Sequence, residues 1–395
     1  MSSTLGGQRT LEIHHHFIWD AESEAMTAVL DGFTDRNPGV TVSEEQTAIN
    51  SLRLMIKSRI LKEEPPDVWD EWPGANLKPT VEAGATADIT DIWERTGMAD
   101  AYFEGMREAA CFDGTYHAVP LDMYRISNLY YNVEQFEAAG VDPGRLSGPD
   151  ELIEAFAQLD DVAANPFAVF GRNPYGPLQL WETLLLAHTD PSAYESVIGG
   201  NPSAHRDGIE RAFATLGDCL AVGPENPEFM DSNAVDESFS DGRTACLNNG
   251  TWTTGALSVT EDWEFGRDWE CVPFPGTDGA HIVNTNSLVP AAHTEGDDMV
   301  GEFIEYVGSG ETIERFNAIN GSVPPRRDVS AAQLHPLSRR LHDAFDSQAR
   351  QLPSMCHGLG VRPEQVVELK DAAATFLQDR DVTAATETVI DSLSD

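Results

Sequence analysis

Lysine is nearly missing from this chain. Only Lys57, Lys62, Lys78 and Lys370 carry an ammonium group, and 66 acidic residues against 25 basic ones leave a formal net charge of −41 over 395 residues. Such a surface disfavours nucleic acid, itself a polyanion, and repels itself at ordinary ionic strength. Molar salt shortens the screening length to a few Å and relieves that repulsion. Loss of Lys with retention of Arg therefore predicts a halophilic protein with an acidic surface.

Cysteine is also scarce. Cys111, Cys219, Cys246, Cys271 and Cys356 are widely scattered, with no CxxC and no metal-type spacing, and an odd number cannot all pair within one chain. They read as small buried residues rather than a disulfide framework. No run approaches the roughly 18 consecutive apolar residues that cross a bilayer. The opening MSSTLGGQRT lacks an apolar signal core and a lipid-accepting Cys, so residues 1–10 read as a flexible segment. Enzyme motifs are absent too: there is no GxxxxGK[ST], no GxSxG, no HExxH and no phosphate fingerprint after a strand. Neither a cofactor nor a metal is expected. With 66 carboxylates, an Asp/Glu pair for glycoside chemistry could be drawn almost anywhere.

What is present is enough apolar surface for two cores: 41% of the residues are hydrophobic and 8% aromatic. Strands are predicted over Leu11 to Phe17, over Val40 to Glu45 and up to Asp70. Between them lie helices over Ala21 to Phe33, with Ala25, Val29, Leu30 and Phe33 inward, and over Leu52 to Leu61. This βα alternation predicts a parallel sheet with helices on both faces, its ligands gathering beyond the C-terminal strand ends. Later helices are expected over Pro149 to Leu159, Leu178 to Ala187, His205 to Leu220, Met299 to Val307, Glu311 to Ala318, Leu334 to Ala349 and Pro363 to Phe376. Thr244 to Leu247 reads as a strand that turns through NNGTW.

The segment DGTYHAVPLDMYRISNLYYN, Asp113 to Asn132, carries most information. A hairpin pair, Asp113-Gly114, precedes β-rich residues that run into Asn132 and a helical stretch, VEQFEAAGVD. A chain that leaves one sheet here and settles into a new αβ unit marks a hinge, with Pro120 and Arg125 as its hinge residues.

Together with PPDVWDEWPG (Pro65 to Gly74) and LNNGTWTTG (Leu247 to Gly255), that segment resembles the extracellular solute-binding proteins of sugar ABC transporters, in particular the maltose- and glucose-binding type. The resemblance implies an α/β fold: a two-lobed, periplasmic-binding-protein-like clamshell, each lobe a mostly parallel sheet flanked by helices. Lobe 1 is expected over residues 11–120 and 282–328, and lobe 2 over residues 121–281 and 329–395. A carbohydrate ligand, ABC permease subunits as partners, no catalysis and a monomer are implied. So is an extracellular, cell-surface location, with any leader or anchor outside this numbering.

The same resemblance assigns contacts residue by residue. Phe17, Trp19 and Glu22 stand where relatives carry aromatics and an acid. Asp70 and Trp72 stand at positions with polar ligands, and Trp252 is the pocket Trp of an Asn/Gly turn. Asn320 occupies a place often held by Lys, Asn286 lies where relatives can place an Asp, and His357 follows in CHG. These types suit a pyranose, whose apolar C–H faces ask for aromatic plates and whose hydroxyls ask for planar polar groups. The run His14-His15-His16 reads as a strand-end polar cluster, since alternation sends its members to opposite faces. Two alternatives stay open: a carbohydrate-active hydrolase or lyase, and a receptor for another polar solute such as an osmolyte or peptide.

Overall fold

The computed structural model describes residues 9–18, 20–258, 263–347 and 350–394. The chain divides into two compact units, the first drawn from Met1–Met123 and Thr285–Asp346, the second from Tyr124–Asn284 and Ser347–Asp395.

In the first unit the strand Arg9–His15 is central, pairing in parallel with Val40–Gln46 on one side and Val68–Glu71 on the other. Ile13 faces Val68 and His14 faces Trp69 in register. The sheet is mixed, because Ser287–Pro290 joins antiparallel to Val68–Glu71, and Val119–Pro120 antiparallel to Ser287–Pro290. The helix Asp20–Arg36 buries Ala25, Val29, Leu30 and Phe33, one apolar stripe at helical spacing. Phe33 meets Phe303 of the helix Asp298–Val307 edge-on, ring centroids 5.0 Å apart. Arg9 and Thr10, expected in a flexible segment, lie in the first strand, where they pair with Val40 and Thr41.

Asp113-Gly114 makes the expected hairpin. Cys111–Phe112 and Thr115–Tyr116 pair antiparallel, and both turn residues hold positive φ, 51° and 87°, as a two-residue primed turn requires.

The helix Pro336–Asp346, expected in the second lobe, belongs to the first unit. His342 sits edge-on to Phe103 and bonds the Arg326 carbonyl at 2.9 Å, while Ser338 donates to the Gly321 carbonyl at 2.6 Å. An amphipathic stripe demands a core but does not say which one.

The second unit has a four-stranded sheet in the order Trp269–Pro273, Asn128–Asn132, Thr244–Leu247, Asn165–Ala168, the first two junctions antiparallel and the last parallel. A smaller sheet sets Ala280–Asn284 between Arg350–Pro353 and Tyr124–Arg125. Asn132 ends its strand and caps the helix Val133–Ala139 by accepting from the Gln135 N–H; an Asn there satisfies one of the orphan donors of the first turn. The helix Tyr175–His188 is buried at every position from Gly176 to Leu186. Trp181 stacks on Phe213, which meets Phe376, so this helix is wrapped by Arg206–Ala221 and Pro363–Asp379. Cys219, Cys246, Cys271 and Cys356 are buried, and Cys111 is half-buried.

Candidate functional site

Each unit gathers its own set of polar and aromatic side chains. In the first, the parallel pairing of Arg9–His15 with Val68–Glu71 brings their C-terminal ends side by side, so His16 hydrogen-bonds the Asp70 carboxylate through Nδ1. Asp70 is fully buried, and its other oxygen, Oδ1, has no hydrogen-bond partner among the described residues. Glu22, from the start of the helix Asp20–Arg36, points a second unpartnered oxygen, Oε2, into the protein. Burial pushes the Glu22 carboxyl up to about 7; His16 opposes the rise and Asp70 adds to it. Burial works against a charge on His16, yet the charge and hydrogen bond of Asp70, with Glu22 and Asp122, raise its pKa.

Beside these groups, Asp122 accepts from the Asn286 backbone N–H at 2.8 Å and from Asn286 Nδ2 at 2.9 Å. Asn286 Oδ1 accepts from Trp72 Nε1. The Trp72 indole is buried with the Arg53 guanidinium 3.9 Å over its ring, and Arg53 is itself tied to Glu71. An open stacking plate at Trp72 is therefore not what this structure displays. Phe17 is fully buried, stacked on His16 and edge-on to Phe316, so it supports the His16 ring from the core side. Asn320 is buried at the end of the helix Gly310–Asn320, where it donates to Ser322. Ser322 donates to Asn317, and Asn317 to the Leu121 carbonyl, so Asn320 belongs to an amide chain that braces the Leu121-Asp122 segment. Trp19 lies outside the described residues.

In the second unit the turn after Thr244–Leu247 is locked by its asparagines. Asn248 donates to the carbonyls of Ile126 and Asn128, and Asn128 donates back to the Asn249 carbonyl. The Thr251 backbone N–H donates to the Arg125 carbonyl, and the Arg125 N–H donates to Thr251 Oγ1. Gly250 lies directly against the Trp252 ring, where any Cβ would overlap the indole. Trp252 is thereby held half-buried among three rings: Tyr124 at 5.5 Å, His357 at 5.6 Å and Tyr175 at 6.3 Å between centroids. His357 bonds Ser354 Oγ through Nδ1 and the Tyr175 hydroxyl through Nε2.

The two residues read as hinges fall on either side of the first unit boundary. Pro120 pairs with Ser287 in the first unit's sheet. Arg125 is buried in the second, its Nε donating to Asn128 Oδ1.

Within units, then, the structure brings Glu22, Asp70, Trp72 and Asn286 near one another, and Trp252 together with His357. Residue patterns read His16 only as part of a strand-end polar cluster and gave no role to Asp122, Tyr124, Tyr175 or Glu182. Glu182 left a signal, as the lone carboxylate inside the apolar run LQLWETLLLA. Tyr175 left none, sitting in a Gly/Pro/Asn-rich stretch that reads only as loop.

The comparisons bear on the whole chain. The computed fold superposes on a chitin oligosaccharide binding protein with a TM-score of 0.84, at 20% identity and 98% coverage of both chains. In sequence it is 27% identical to the xylose/arabinose-binding protein XacG of Haloferax volcanii, covering 98% of this chain and 84% of that protein. It is 25% identical to an uncharacterized ABC transporter extracellular-binding protein of Pyrococcus horikoshii, covering 97% and 87%. Residues 28–338 match the family described as bacterial extracellular solute-binding protein, and the chain belongs to that family.

Proposed function

We propose that this solute-binding protein captures a neutral carbohydrate outside the cell and delivers it to the permease of an ABC transporter. The carrying observation is the pair of buried carboxylate oxygens, Asp70 Oδ1 and Glu22 Oε2, beside His16, neither with a hydrogen-bond partner among the described residues. A buried acceptor without a donor costs free energy. Sugar hydroxyls are donors that would satisfy these oxygens, whereas a uronate or sugar phosphate would bring like charge against them. Trp252 and Tyr175 are rings suited to sugar C–H faces, and His357 adds a polar contact.

The names of the relatives support the carbohydrate class and place xylose and arabinose first in a screen. A monomer associated with the cell surface, working in concentrated salt, completes the proposal. No helix of the described residues is long and apolar enough to cross a membrane.

A thermal-shift screen against mono-, di- and oligosaccharides in about 2 M NaCl tests the reading. A sugar that raises the unfolding midpoint in proportion to its occupancy supports it. If sugars leave the midpoint unchanged while glycine betaine or a peptide raises it, or if oligosaccharides are cleaved, the proposal fails.

A further inference from the structure

Glu182 is fully buried in the helix Tyr175–His188. Its carboxylate holds the loop that carries His357. Oε2 accepts from the backbone N–H groups of Met355 at 2.7 Å and Cys356 at 3.3 Å. It also lies 3.2 Å from the Tyr194 hydroxyl, whose proton is shared with the Pro353 carbonyl. Oε1 accepts from the Ser354 hydroxyl at 2.7 Å.

These bonds set the direction of the next ones. Backbone N–H groups can only donate, so Oε2 remains an acceptor. Burial pushes the Glu182 carboxyl up to about 7, against the hydrogen bonds it accepts; above that pH it is ionised, and Ser354 directs its one proton to Oε1 and is left an acceptor toward His357. It accepts there from the His357 backbone N–H at 3.3 Å and from Nδ1 at 2.8 Å. The imidazole proton therefore sits on Nδ1, and Nε2 presents a lone pair to the Tyr175 hydroxyl.

We infer that Glu182 is a positioning residue which, through Ser354, fixes His357 as the Nδ1–H tautomer and so makes Nε2 an acceptor for a ligand hydroxyl. This rests on the reading of His357 as a carbohydrate contact, and it deepens that reading into a specificity rule. A ligand that takes the place of the Tyr175 hydroxyl must donate a proton there. A free hydroxyl does so, whereas a methyl ether, a ring oxygen or a carboxylate at that point does not.

Glu182, Cys356 and His357 also lie close enough together to suggest a cation site. Four donors already surround the carboxylate. The Cys356 thiol, its pKa raised by burial, faces the Tyr175 carbonyl, which leaves a cation few lone pairs. Among the described residues, Tyr194, Tyr175 and Lys370 also face this network, the Lys370 Nζ standing 5.7 Å over the Tyr175 ring.

Substituting Glu182→Gln tests the relay. The two backbone N–H groups force the new carbonyl into the Oε2 position, so the amide NH2 faces Ser354, and the Ser354 hydroxyl turns its proton to His357 Nδ1. Full-length protein labelled with 15N-histidine, free of ligand at about pH 8.5, is examined by long-range proton–nitrogen correlation. The His357 signals are identified by their loss in His357→Gln. Wild type is expected to show a protonated, pyrrole-like Nδ1 and a bare, pyridine-like Nε2, and Glu182→Gln the reverse. A protonated Nε2 in wild type, or the same pattern in both proteins, overturns the inference. Should Glu182→Gln fail to fold, Ser354→Ala cuts the relay while keeping the backbone bonds to Glu182. It is expected to give a mixture of tautomers, and an unchanged Nδ1–H form would be equally fatal. No sugar enters the measurement, so its outcome is independent of the carbohydrate screen.

Discussion

The indole N–H of Trp72 donates to the side-chain oxygen of Asn286 at 2.9 Å, across 214 residues of sequence. Asn286 in turn donates to Asp122, so its amide serves as acceptor on one side and donor on the other. An Asp at 286 would instead bring a second carboxylate directly against Asp122. Asn286→Asp is expected to lower the unfolding midpoint at pH 8 far more than at pH 4, where one of the pair can hold a proton. Trp72→Phe keeps most of the aromatic area but removes the donor, and is expected to cost about 1–3 kcal/mol of stability. Denaturant unfolding of the ligand-free protein checks both, and wild-type stability in Trp72→Phe would show that the N–H contributes nothing.

Gly250 is predicted to control Trp252. Because a Cβ at 250 would overlap the indole, Gly250→Ala should push the ring out of its place among Tyr124, Tyr175 and His357. Affinity for the best sugar from the screen should fall by tenfold or more, on the order of 1.4 kcal/mol, with a smaller change in unfolding midpoint. Calorimetric titration against His357→Ala, expected to cost about 1 kcal/mol, gives the comparison.

Asp236 gives a pH test. It sits on the helix Ser232–Ser240 with Oδ1 buried and without a partner among the described residues, and burial pushes its carboxyl from 3.8 up to about 7. Below pH 3.8 both folded and unfolded chains hold the proton, and the shift has no effect on stability. Between there and about 7 only the unfolded chain ionises, so stability falls as pH rises, and the full penalty is present above 7. Asp236→Asn removes that dependence. Its unfolding midpoint relative to wild type should therefore rise between about pH 5 and about pH 8. A difference that stays flat over that interval would mean that water reaches the carboxylate.

Salt should stabilise the protein. With a net charge of −41, raising NaCl from about 0.1 M to about 2 M screens carboxylate repulsion and should raise the unfolding midpoint. A flat or falling midpoint would contradict adaptation to salt.

Local signals in the sequence located elements well. Pro149–Leu159 and Thr244–Leu247 have the bounds their patterns predict, because Pro at a helix start and a short apolar run between turn residues act within a few residues. Asn132 and Asp113-Gly114 were legible for the same reason. Partnership was not. The Trp72–Asn286 and Tyr175–His357 bonds join residues far apart in the chain, and no periodicity encodes which strand end will meet which loop. Nor did the pattern around Trp72 disclose that Arg53, one helix earlier, would cover the indole. Phe17 shows the limit from the other side: an aromatic at a strand end looks the same in sequence whether it faces ligand or core.

Each unit is stitched from two separated stretches of chain, and this constrains the order of assembly. The strand Val68–Glu71 has one neighbour early, in Arg9–His15, but must wait for Ser287–Pro290 to be synthesised before its other edge is covered. Likewise Ala280–Asn284 waits for Arg350–Pro353, and the buried helix Tyr175–His188 for Pro363–Asp379. Neither half can be completed until the chain has returned to it, the first at residues 285–346 and the second at residues 347–395, so simple N-terminal-first, domain-by-domain folding does not suit this chain. The edges left open by those late strands close last, and pairing between such distant stretches is intrinsically slow.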